Sequence, residues 1–279
     1  MQRILVAFDA LDINLNSLDF ACYISRLTDS KITGVFLENL ITENKLIIKE
    51  GYDATYLKWG PDESDPDYVK KMDRFQENIS IFQNHCVNKK SSCDVLCKKG
   101  SPAKELIRES RFADLLITDA QTCFNKKFSG SPTNFEKDIL QAAECPVMIA
   151  PGHFSQIDEI IFCYDGSRSS FYSIRQFDYI FPELLQKKVV LLAVNFKNEK
   201  ELPEIEKLKE WFFTRNAQLH FEFRHGKPED EINDYLLQKN NSLVIMGAFG
   251  RSSLSRLFRK TTAGNILKSS YLPVFITHP

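Results

Sequence analysis

This chain lacks most of the features that would place it in a membrane, on nucleic acid or around a metal. No apolar run approaches the roughly 20 residues that a membrane-spanning helix needs. The net charge is -1 over 279 residues, so there is no cationic excess to neutralise a phosphate backbone, and nucleic-acid binding is not expected. The five histidines (85, 153, 220, 225 and 278) show no metal-ligand spacing. Seven cysteines (22, 86, 93, 97, 123, 145 and 163) occur without Cys-x-x-Cys spacing. An odd count with no export signal reads as reduced thiols. Gly-Lys-Ser/Thr phosphate loops and Gly-x-Ser-x-Gly elbows are also missing. No general base stands beside a nucleophile, so a dedicated enzyme is not expected.

What is present fits an ordinary globular protein, with 43% hydrophobic and 26% charged residues, enough for one large or two small domains. The opening stretch Met1 to Asp9 is apolar, too short for a signal peptide and closed by an acid. A cytoplasmic location is the expectation. Cys93 and Cys97, four apart in Cys-Asp-Val-Leu-Cys, are expected on one strand face with Val95, as packing residues.

The same plan is written twice. Each half opens with an apolar strand ending in Asp (Ile4 to Asp9, Ile160 to Asp165), then a helical pattern (about 15–28 and 168–181) and a second strand (Lys31 to Leu37, Val189 to Val194). Lys99-Gly100-Ser101-Pro102 matches His225-Gly226-Lys227-Pro228, a turn glycine with proline near a helix start. Ala113 to Thr118 matches Asn241 to Met246, and Cys145-Pro146-Val147 matches Leu272-Pro273-Val274. The offset is 156 at the opening aspartates and 126 to 128 afterwards, so the first half carries about 30 extra residues near 40–70. That segment holds Tyr52, Tyr56, Trp59 and the acidic stretch Pro61 to Asp67. Its carboxylate spacing fits no calcium loop, and a solvated loop is expected.

Strands alternating with helices predict an α/β fold of two doubly wound, five-stranded parallel-sheet domains in tandem, spanning 1–151 and 152–279. The join falls at Ala150-Pro151-Gly152-His153. Ligands of such sheets bind outside the carboxyl ends of the strands. In the second half those ends carry Asp165, Val194 and the turn from Met246 and Gly247 to Gly250, which should converge on one crevice. A strand that delivers glycines into a helix N-terminus suits an anion, because free N–H groups and the positive helix end face one spot. In the first half Asp119 stands where the second has Gly247, and an acid there repels phosphate. His225 reads as a turn residue, and Ser252, Ser253 and Ser255 as helix-capping hydroxyls.

Together these motifs resemble the universal stress protein family in its tandem two-domain form, over essentially the whole chain apart from the 40–70 insert. The family's nucleotide-binding members carry Gly-x2-Gly-x9-Gly-Ser/Thr. Here Gly247 and Gly250 fit, nine residues follow, Lys260 takes the third glycine's place and Thr261 follows it. The family's opening Asp-Gly-Ser stands as Asp165-Gly166-Ser167. The resemblance implies ATP or AMP, with Mg²⁺, in the second half. Asp165 would meet ribose or a metal-bound phosphate, the Val194 backbone adenine, and Met246 and Gly247 the ribose and phosphate side. Gly250, Thr261 and Thr262 would contact phosphates. Lys260 adds both a Cβ that crowds the backbone and an ammonium that pairs with phosphate as a point charge. The resemblance further implies at most slow hydrolysis, and an intramolecular pseudo-dimer through Val147–Ala150 and Val274–Thr277, with a homodimer as a further possibility. The alternatives are an interaction scaffold without nucleotide, and a lipid or metabolite in the first-half crevice.

Overall fold

The structure, a computed structural model, describes residues 1–39, 45–50, 55–60, 65–120, 122, 124, 133–247 and 272–277. The first half runs β1 (Arg3–Asp9), α1 (Leu15–Thr28), β2 (Lys31–Asn39), β3 (Lys45–Glu50), β4 (Thr55–Gly60), α2 (Pro66–Asn88), β5 (Cys93–Gly100), α3 (Pro102–Ser110), β6 (Leu115–Asp119), α4 (Asn134–Ala142) and β7 (Val147–Ala150). The second runs β8 (Glu159–Cys163), α5 (Arg168–Ile180), β9 (Lys188–Val194), α6 (Ile205–Phe213), β10 (Leu219–Arg224), α7 (Pro228–Leu236), β11 (Ser242–Gly247) and β12 (Val274–Thr277).

Local chemistry sets the helix starts. Asn14 caps α1 by accepting from Asn16 N and Ser17 N, and Ser167 caps α5 by accepting from Ser170 N. Pro102 and Pro228 open α3 and α7, where a missing N–H costs nothing. The glycines before them, Gly100 and Gly226, have φ of 141° and 149°, which side-chain-bearing residues rarely adopt.

Ten strands form one sheet in the order β10-β9-β8-β11-β12-β7-β6-β1-β2-β5. All pairs are parallel except the central one, where β12 meets β7 antiparallel, with Val274 opposite Ile149 and Ile276 opposite Val147. Each half is thus a five-stranded parallel sheet. Residues alternate between its faces with period two. Ile4, Val6 and Phe8 pack with α1, α2, α5 and α6 residues such as Phe20, Phe82, Phe177 and Phe212. Leu5 and Ala7 face the other layer, with Leu106, Ile139 and Tyr235 from α3, α4 and α7. Covering both faces explains why β1, β6, β8 and β11 read as near-continuous apolar runs. The connector between halves is tied to the first: the Phe154 ring lies 4.9 Å from Phe20 and 4.7 Å from Tyr23.

Two expectations change. The insert is not wholly a solvated loop, because β3 and β4 pair antiparallel from Lys45–Gly60 to Glu50–Thr55 as a separate two-stranded sheet. Ile47 and Ile48 in β3, with Tyr56 and Trp59 in β4, supply the β-branched and aromatic content that favours strands. Of the acidic stretch, Asp65 caps α2 by accepting from Asp67 N at 2.9 Å, and 61–64 lie outside the described residues. Cys97 is exposed rather than packed, because β5 is an edge strand whose outer positions face water. Among the described residues no helix is long and apolar enough to cross a membrane.

Candidate functional site

In the second half the sheet order reverses between β8 and β11, which leaves a crevice at their carboxyl ends with β9 beside it. The turn after β8 forms one wall. The exposed Asp165 carboxylate accepts from Ser167 N at 3.0 Å, which folds the chain sharply into α5. Gly166 has φ of 76°, and a Cβ there would come within 2.4 Å of Pro203 Cγ. The buried Tyr164 donates its hydroxyl to the carbonyl of the same Pro203 at 3.0 Å. Burial, with Asp165 nearby, raises the Tyr164 phenol and pushes the Cys163 thiol up to about 12.

Val194 ends β9 on the neighbouring side. Leu192 O accepts from Tyr164 N at 2.9 Å on the β8 side, and Asn195 N donates to Arg224 O at 2.8 Å on the β10 side. Backbone groups alternate direction along a strand, so the amide and carbonyl of Val194 point toward β8 and the crevice. Asn195, in the left-handed region at φ 67°, clamps the turn after β10 by bonding its side chain to Gly226.

Met246 and Gly247 close β11. The Met246 side chain is buried in the core, so only its backbone reaches the crevice. An added Cβ on Gly247 would lie 2.4 Å from the Ser169 carbonyl oxygen. The glycine therefore lets the end of β11 pass against the first turn of α5, a packing need beside any ligand need. The structure thus brings Asp165, Val194, Met246 and Gly247 to one end of the sheet. Gly250, Lys260, Thr261 and Thr262 lie outside the described residues. His225 is exposed on the turn before α7.

The corresponding place in the first half is built differently. Asp9 Oδ1 accepts from Leu11 N at 2.9 Å, and α2 covers the turn: Asn78 donates to Ala10 O at 3.0 Å and Arg74 to Leu11 O at 2.8 Å. Asp119 accepts from both the amide and hydroxyl of Thr122, at 2.8 and 2.7 Å. Beside it Glu136 is fully buried, and among the described residues neither carboxylate oxygen has a hydrogen-bond partner. Burial first, then the Asp119 charge, raises its carboxyl well above the usual range, which favours the protonated form. Sequence reasoning missed Arg74, Asn78 and Glu136. Thr133-x-x-Glu136 has capping-box spacing, and Thr133 Oγ1 does accept from Glu136 N at 3.2 Å, but the carboxyl does not bond back. Among the described residues no group of three His, Cys, Asp or Glu could hold a metal ion.

Residues 183–278 match the model of the universal stress protein family. A universal stress protein from Methanocaldococcus jannaschii is 26% identical over 81 residues, 29% of this chain and 45% of that one. Another from Synechocystis sp. is 27% identical over 146 residues, 50% of this chain and 49% of that one. The chain thus spans about half the length of the curated relatives it matches. Over its whole length it superposes on the crystal structure of a universal stress protein from Archaeoglobus fulgidus, with a TM-score of 0.72 and 16% identity, covering 99% of this chain and 98% of that one. That likeness shows the fold. The resemblance read from the motifs is thus matched by a universal stress protein domain over residues 183–278.

Proposed function

We propose that this chain, with a universal stress protein domain in its second half, is a tandem member that binds an adenine nucleotide between β8, β9 and β11 and reports its presence to partner proteins. The first half is then a structural or regulatory companion, joined as a pseudo-dimer through β7 and β12 and working in the cytoplasm. ATP or AMP, with Mg²⁺, is the ligand class. The observation that carries this reading is the convergence of Asp165, the Val194 backbone and the end of β11 beside the N-terminus of α5. An exposed carboxylate suits a ribose hydroxyl or a metal-bound phosphate. A strand-end amide and carbonyl suit the hydrogen-bonding edge of adenine, and the helix end suits a phosphate. Binding would act through differential affinity for two states of the protein that a partner distinguishes.

A second reading, an interaction scaffold without nucleotide, is favoured by one feature. The space that Gly247 and Gly166 leave open is already filled by Ser169 and Pro203. Calorimetric titration with ATP and Mg²⁺ separates the two. One site per chain, weakened about tenfold or more in Asp165→Ala, is expected for the nucleotide reading. No binding heat and no copurified nucleotide would leave the scaffold. Lys260→Gly then tests the departure from the motif: tighter binding marks a side chain that closes the site, and weaker binding marks a phosphate ligand.

A further inference from the structure

The ten-stranded sheet ends on two edges, β5 in the first half and β10 in the second. Along β10 the carbonyls of Gln218 and Arg224 accept from Val189 N and Asn195 N, so the even-numbered residues turn their backbone toward β9. Backbone groups alternate along a strand, which aims the N–H and C=O of Leu219, Phe221 and Phe223 outward from the sheet. Among the described residues no strand pairs beyond β10. The side chains of these three share the face that packs with Leu208 and Phe212 of α6, yet stay partly exposed. The Phe221 and Phe223 rings stack at 6.2 Å. His220, Glu222 and Arg224 occupy the opposite face, where Glu222 and Arg224 form an ion pair at 2.8 Å.

The matching edge in the first half is built differently. Cys93, Val95 and Cys97 of β5 stand where β10 has Leu219, Phe221 and Phe223, and β5 closes with Lys98-Lys99-Gly100. Lysines guard an edge against pairing, whereas an aromatic row favours it.

We propose that the β10 edge is a homodimer contact, at which a second copy of this chain adds its own β10 antiparallel across a two-fold axis at Phe221. The backbone selects the register. Only outward-facing residues exchange hydrogen bonds, and using all three on both strands sets Leu219 opposite Phe223 of the second copy and Phe221 opposite its equivalent. Each such pair exchanges two bonds, so every outward group of these residues is satisfied. The same register sets His220 opposite Glu222 of the second copy, twice by symmetry, and imidazole meets carboxylate. The rows of Leu219, Phe221 and Phe223 join into one apolar stripe. The strand is thus complementary to itself in backbone, apolar row and charge order. β7 and β12 cannot serve as such an edge, since each already pairs on both sides within the chain.

The test is sedimentation velocity of the full chain from about 1 to 100 μM. A concentration-dependent dimer of the 32.2 kDa chain is expected. His220 is exposed, so its replacement leaves the core intact. His220→Glu sets carboxylate against carboxylate and should weaken the dimer about tenfold, counted over both symmetric pairs, while His220→Lys should tighten it. Both variants should keep the parent's circular dichroism spectrum. Mixing His220→Cys chains with Glu222→Cys chains under oxidation tests the register. The mixture should form an intermolecular disulfide faster than either variant alone, because the opposed Cα atoms lie about 4.5 Å apart. A monomer at every concentration would overturn the proposal and leave the edge to a strand of another protein. Equal dimer strength in both His220 variants would overturn it too, as would cross-linking no faster in the mixture than in each variant alone.

Discussion

Asn195 and Gly226 grip each other across two turns at the edge of the candidate site. Asn195 Oδ1 accepts from Gly226 N at 3.0 Å, and Asn195 Nδ2 donates to Gly226 O at 3.0 Å. One side chain thereby imitates a strand partner just where β9 and β10 stop pairing, and fixes the residue that follows Val194.

Asn195→Ala removes both bonds and leaves alanine at φ 67°. A loss of about 1–2 kcal/mol is expected from two exposed hydrogen bonds and the left-handed backbone. Urea unfolding at constant m-value would measure it. Asn195→Asp keeps the acceptor and should lose less; equal losses would mean that the clamp is not what the site needs.

Gly247→Ala is expected to destabilise by about 1–3 kcal/mol through overpacking. The nearest obstacle is the Ser169 carbonyl oxygen at 2.4 Å, with the hydroxyl at 2.5 Å. Adding Ser169→Ala should therefore fail to restore stability, since backbone remains in the way. Full rescue in the double variant would show that the hydroxyl alone was the obstacle.

Glu136 gives a pH signature. Its folded carboxyl titrates above the ordinary 4.5 because it is buried beside Asp119. Above 4.5 the native state then holds a proton that the unfolded chain has released, so stability falls as pH rises toward the folded value. Glu136→Gln keeps the shape without the proton. It should flatten that decline and raise stability at neutral pH, read from thermal unfolding across pH. An unchanged slope would assign the decline to another group.

Phe154 carries the connector. Its ring meets Phe20 and Tyr23 at 4.9 and 4.7 Å, and Ile157 of the same connector is buried in the core. Phe154→Ala should cost about 1–3 kcal/mol and speed proteolytic nicking between 151 and 158. Unchanged cleavage would mean that Ile157 and the flanking strands hold the connector without the Phe154 ring.

Much of the fold was legible because its signals are local. The apolar runs of β1 and β8, the proline-opened α3 and α7, and the Asp165-Gly166-Ser167 turn each state their structure within a few residues. The hairpin of β3 and β4 was not read, since two six-residue strands beside an acidic stretch look like loop until their pairing is known. Cys97 was misplaced because strand periodicity assigns a face, while exposure depends on β5 lying at the sheet's edge.

The sequence by itself determined the doubled α/β plan, the strand ends that carry Asp165, Val194 and Gly247, and which half keeps the glycines. Those properties follow from periodicity and turn chemistry, which act over short stretches of chain. Only the tertiary structure decided that Gly247 yields space to Ser169, that Asn78 and Arg74 of α2 cover the first-half turn, and that Glu136 is buried with no hydrogen-bond partner for its carboxylate among the described residues. Each of these joins residues far apart in the chain. Its energy depends on burial and on which atoms are forced together, and neither is written in any single segment.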